Sequence, residues 1–167
     1  MTNFGCDIFP QPGDTDGIQQ QARWLTHGRL VVDTDPNLTI VRLRAEALEA
    51  AAGRNDVLVL RFEFNPTPTH GDEYALGVAL DLGDVRNLRR ATAYALGPPP
   101  ATIPAFATVT CLCRPQRPDS VRGTFTMTKR GIAQIIGRLD ATLFFTAWDD
   151  PSRHTSYRLR QRIDGLQ

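Results

Sequence analysis

The chain has 167 residues, 41% of them hydrophobic and 22% charged, with a net charge of +1. That length suits one domain burying about 70% of its unfolded surface, and so balanced a charge supplies no field to gather nucleic acid or an anionic membrane. Lys129 is the single lysine among 19 basic residues, which the codon usage of a GC-rich genome explains without invoking phosphate recognition.

Cys6, Cys111 and Cys113 are odd in number and make no disulfide framework. The first residues lack the basic region and apolar run of a leader, and no apolar run approaches a membrane span. The expectation is a cytoplasmic protein.

Residues 1–22 are rich in Pro, Gly, Asp and Gln and read as an N-terminal arm, with at most a helical turn over Ile18–Trp24. A single β domain is expected over 23–167. Gly28–Asp33 is a short strand, and Asp33–Asn37 a loop. Residues 38–44 read as a strand that gives way to a helix over 45–52, where Ala45-Glu46-Ala47-Leu48-Glu49-Ala50-Ala51-Ala52 favours helix and Gly53 would stop it.

Val57–Asn65 is a strand with a wholly apolar face of Leu58, Leu60, Phe62 and Phe64. Tyr74–Leu82, Ala91–Leu96 and Ala105–Arg114 follow as further strands, with a polar turn over Asp84–Arg90. The clearest pattern runs from Ser120 to Trp148. Val121, Gly123, Phe125 and Met127 alternate with Arg122, Thr124, Thr126 and Thr128, and Lys129-Arg130-Gly131 offers a turn. The chain returns through Ile135, Leu139, Ala141, Leu143, Phe145 and Ala147, all of one parity. This is a long hairpin, with Gly137 as an expected bulge or bend in its second arm. A helix over Ile132–Leu143 is the alternative. His154–Ile163 is the last strand, with Tyr157, Leu159 and Ile163 facing in and Arg158, Arg160 and Arg162 facing out. About eight or nine strands with little helix predict an all-β, mainly antiparallel fold, either a β-sandwich or a β-barrel.

Candidate chemistry is sparse. Asp33-x-Asp35-x-Asn37 opens like a calcium loop but continues with Leu38 where Gly belongs and Arg44 where the bidentate Glu belongs, so no metal site is expected. Cys111-x-Cys113 lacks the further ligands of a zinc site, and two core cysteines are the plainer reading. His70, Asp72 and Glu73 form the densest group of proton-transfer residues, against the plainer reading of a polar loop; Asp149, Asp150 and His154 weigh similarly against a turn. The ridge of Arg158, Arg160 and Arg162 could grip an anionic ligand or protect an edge strand from pairing, and protection is preferred. Phosphate-binding, dinucleotide, zincin and serine-hydrolase motifs are absent from the sequence, and no cofactor is expected.

Two functions follow. The first is a non-enzymatic β domain that binds a protein partner or a small apolar ligand, with a homo-oligomer as one form of that partnering. The second is a cofactor-free enzyme of cyclase or isomerase type. Its pocket inside a β-barrel would be lined by Trp24, Phe62, Phe64, Tyr74, Tyr94, Phe125, Phe144 or Trp148, with His70 or an arginine such as Arg158 or Arg160 as polar handle. Neither reading involves nucleic acid or a membrane. A filled interior favours the first, and a cavity above about 300 Å³ holding an ionisable group favours the second.

Overall fold

Period-two alternation becomes strand almost wherever it occurs. The computed structural model describes residues 18–35, 40–47, 55–64, 74–111 and 116–167. In chain order these carry β1 (Ile18–Leu25), β2 (Gly28–Asp35), β3 (Ile40–Ala47), β4 (Val57–Phe64), β5 (Tyr74–Asp81), β6 (Ala93–Gly97), β7 (Ile103–Cys111), β8 (Gln116–Arg130), β9 (Gln134–Ala147) and β10 (His154–Leu166). A 3-10 turn at Val85–Asn87 lies between β5 and β6.

Eight strands close into a ring in the order β1-β10-β9-β8-β6-β7-β5-β4, and β2 and β3 form a separate hairpin. Most neighbours in the ring are antiparallel. The two parallel seams are short: β1 meets β10 at Arg23 and Leu166, and β6 meets β7 at Leu96–Ile103 and Gly97–Pro104. The all-β expectation therefore holds, as a closed ring of strands.

Among the described residues, side chains of the inward parity pack the interior of the ring. Phe62, Phe125, Phe145, Leu60, Leu80 and Leu143 each expose under 2% of their surface, so no water-sized void touches them. Space is tight enough to dictate glycine at Gly137, where an added Cβ would lie 2.7 Å from the Phe125 ring. Of the bulge or bend expected at Gly137, the bulge lies on the facing strand, next to its partner Met127. Irregularities fall on β8, between Pro118 and Ser120 and between Met127 and Lys129, while Gly137 makes room for an aromatic ring.

Several other expectations are corrected. Ile18–Ala22, assigned to the arm, and the helical turn allowed over Ile18–Trp24 are part of a strand of the ring, β1, because its ladder with β4 from Ile18–Phe64 to Leu25–Val57 outweighs local propensity. The helix expected from residue 45 does not start there: Ala45, Glu46 and Ala47 continue β3, paired with Leu30, Arg29 and Gly28. The remainder of that helix, 48–52, lies outside the described residues. Asp33 and Asp35 belong to β2 rather than to a loop. The helix alternative over Ile132–Leu143 gives way to β9, whose ladders on both sides hold it extended.

The outer faces of the ring differ from one wall to the other. The β2–β3 hairpin lies against β4, β5 and β7. Beneath it Val57 and Ala79, which have the outward parity, are as buried as the core. On the opposite wall, β8, β9 and β10 present an open outer face of Arg, Thr and Ser.

Candidate functional site

The aromatics proposed as pocket lining go to different places. Trp24, Phe62 and Phe125 are buried in the packed interior. Tyr94 is partly buried against that core, and its hydroxyl accepts a hydrogen bond from the Arg89 N–H at 2.7 Å. Phe144 has the outward parity and stands 37% exposed on the β8–β10 wall, so it lines no interior pocket. Trp148 follows the end of β9, with its indole N–H buried and without a hydrogen-bond partner among the described residues. Phe64 ends β4 and Tyr74 opens β5. His70, Asp72, Glu73, Cys6 and Cys113 lie outside the described residues.

Three polar groupings emerge among the described residues, two of them centred on carboxylates, Asp56 and Asp119, that the sequence reading did not single out. The first closes one end of the ring. Asp56, fully buried just ahead of β4, accepts from the Trp24 indole N–H at 3.0 Å and from the Val85 backbone N–H at 2.8 Å. Its own backbone bonds to Gly83 O and Leu82 N. One carboxylate thus ties β1, the start of β4 and the 3-10 turn together. Its donors are buried within the fold, so the arrangement is a structural lock. The signal available in sequence was parity, because Asp56 shares the inward face with Leu58, Leu60 and Phe62.

The second grouping sits at the other end of the ring. Asp119 is the extra residue of the β8 bulge between Pro118 and Ser120, and the bulge turns its carboxylate onto β9. There Thr146, 3% exposed, donates its hydroxyl to Asp119 Oδ2 at 2.5 Å and lies 3.0 Å from His154 Nδ1 on β10. A carboxylate, a hydroxyl and an imidazole suggest nucleophilic chemistry, but the order is wrong for it. An activated nucleophile passes its proton to a base that a third group orients. Here the hydroxyl is central, its proton points at the carboxylate, and the oxygen is shielded from any substrate. The grouping staples three strands. Nearby, Asp150 accepts from Ser152 N at 3.0 Å and Ser152 Oγ at 2.6 Å, which closes the β9–β10 turn and holds the Asp150 carboxyl below its ordinary range.

The third grouping is the outer face of β8–β10. Ladder register sets it out in rows: Ser120–Phe144–Ser156, Arg122–Thr142–Arg158, Thr124–Asp140–Arg160 and Thr126–Arg138–Arg162. Asp140 takes Arg158 Nε at 3.2 Å and Nη2 at 3.3 Å, and Arg160 Nε at 3.4 Å. The hydrogen bond from Arg158, helped by the charges of Arg158 and Arg160, holds the Asp140 carboxyl below the usual carboxylate range. The sequence proposed Arg158 and Arg160 as ligand contacts. The fold adds Arg122 and Arg138 to the same face, which no local pattern could, because they come from other strands.

No family model matches the chain, and neither a curated protein nor a solved structure matches it. Among the described residues, no helix is long and apolar enough to cross a membrane.

Proposed function

We propose that this chain is a binding module that meets a partner protein across its outer surface, a second copy of the chain being one such partner. The packing of the described interior carries the reading. Side chains such as Phe62, Phe125 and Phe145 occupy the space in which a barrel enzyme would hold its substrate, each under 2% exposed. A ligand pocket of ordinary size needs about 300 Å³ or more, and the open β8–β10 face is where the described surface offers side chains to a partner.

One observation favours the small-molecule alternative. The buried indole N–H of Trp148 has no partner among the described residues, and such a donor is costly unless something accepts from it. Native mass spectrometry of the protein purified from its own host tests both readings. The binding module is expected to arrive without a retained small molecule and with a second polypeptide on it. A monomer carrying a retained small molecule would overturn it and turn attention to Trp148.

A further inference from the structure

We infer that the outer face of β8–β10 docks an acidic, Asp/Glu-rich segment of a partner protein, with the Arg138–Arg162 pair as its central carboxylate site. The inference deepens the binding-module reading and rests on it. The face exposes Arg122, Arg138, Arg158, Arg160 and Arg162. Within those rows the only carboxylate is Asp140, with Asp164 one row beyond and hydrogen-bonded to Gln134 Nε2 at 2.6 Å. Arg138 and Arg162 stand directly opposite each other across the β9–β10 ladder. Like charges in that position destabilise a sheet, and among the described residues no carboxylate pairs with either.

One row away the same face shows how such a charge is satisfied. Asp140 lies between strands and gathers Arg158 and Arg160 onto one carboxylate. A carboxylate from outside would do for Arg138 and Arg162 what Asp140 does for its neighbours. Guanidinium groups present a fork that matches carboxylate geometry. A nucleic acid suits the face less well. Asp140 sits in the middle of it, Phe144 is its one exposed aromatic, and the whole chain has a net charge of only +1.

The test is fluorescence anisotropy with a labelled peptide of alternating Glu and Ser, run beside a Lys-Ser peptide and oligothymidylate. The Glu-Ser peptide alone should bind, with affinity that falls as salt is added. Replacing both arginines (Arg138→Thr with Arg162→Thr) should weaken binding about tenfold or more, since two charge-assisted contacts are lost. A second variant guards against misfolding. Thr126 stands directly across β8–β9 from Arg138, so Thr126→Glu supplies the missing carboxylate from within the chain. It should raise the unfolding temperature while weakening the peptide by a similar factor. Peptide affinity unchanged in both variants would overturn the inference and leave these arginines as solvated surface charge. The edge protection expected from the sequence does not apply, because β9 and β10 are paired on both sides within the ring. Tighter binding of oligothymidylate, lost with the same arginines, would overturn it in favour of nucleic acid. Either failure leaves the binding-module reading standing, because native mass spectrometry detects a partner on any face.

Discussion

The two walls of the ring share an interior and differ outside. On the β4-β5-β7 wall, part of the outer face is apolar and covered: Val57 and Ala79 point outward and are completely buried under the β2–β3 hairpin, while Arg61 on the same face of β4 stays exposed. On the β8-β9-β10 wall, the outward positions are mostly polar, with Leu139 and Leu143 inside and Arg138, Asp140 and Thr142 outside, Phe144 being an outward exception. One sheet thus has a wall built like a covered layer and a wall built to face water or a partner. The lesson is that the outward residues, more than the inward ones, tell what each part of a ring is for.

The sharpest way to break that contrast is to place the same charge on both outer faces. Ala79→Glu buries a carboxylate under the hairpin and should cost several kcal/mol, enough to abolish or severely weaken cooperative unfolding. Thr142→Glu sits between Arg122 and Arg158 and should change stability by no more than about 0.5 kcal/mol. Urea unfolding of the pair measures both, and similar losses would refute the distinction between the walls.

Next in size is the lock that closes the ring. Asp56→Ala leaves the Trp24 indole and the Val85 N–H buried and unpaired, at about 3 kcal/mol, or roughly 6–12 °C in unfolding temperature. Adding Trp24→Phe to that variant should cost little more than about 1 kcal/mol, since the indole donor has already lost its acceptor. Fully additive losses in a double-mutant cycle would show that the hydrogen bond is not what couples them.

Interior packing gives a smaller effect. Gly137→Ala drives a methyl into the Phe125 ring and should cost about 1–3 kcal/mol. Gly131→Ala at the hairpin tip, where an added Cβ meets only Gln134 at ordinary contact distances, should be close to neutral. Equal effects would mean the interior is looser than the burial of Phe125 implies.

The smallest expected effect lies on the open wall. The folded pKa of Asp140 is depressed by Arg158 and Arg160. Its contribution is therefore present above the unfolded carboxylate value, about 3.9, and is lost as pH falls through the lower folded value. The pair is exposed, so at most about 1 kcal/mol is at stake. Comparing unfolding temperature against pH for the native chain and Asp140→Asn should show a slightly flatter acid limb in the variant. A steeper one would reverse the sign.

Much of this was legible in the residues. Period-two runs at Val57–Phe64, Val121–Met127 and Ile135–Ala147 marked the strands, because a half-buried sheet imposes alternation whatever its neighbours are. The parity of Tyr157 against Arg158 and Arg160 marked which side of β10 meets the core. The same signal misplaced Phe144, since aromatic character was weighed above its outward parity. Asp119 was out of reach, because a bulge resets parity at the residue where it occurs. Ala45–Ala47 read as helix because propensity is local, whereas their pairing with β2 is not.

The sequence by itself determined that the chain is β, which strands alternate and which residues turn inward, for these follow from the stereochemistry of neighbouring residues. The tertiary structure alone decided that eight strands close into a ring, that the β2–β3 hairpin covers one wall, and that Arg138 faces Arg162. Those depend on which strand lies beside which, a choice made by contacts between residues far apart in the chain.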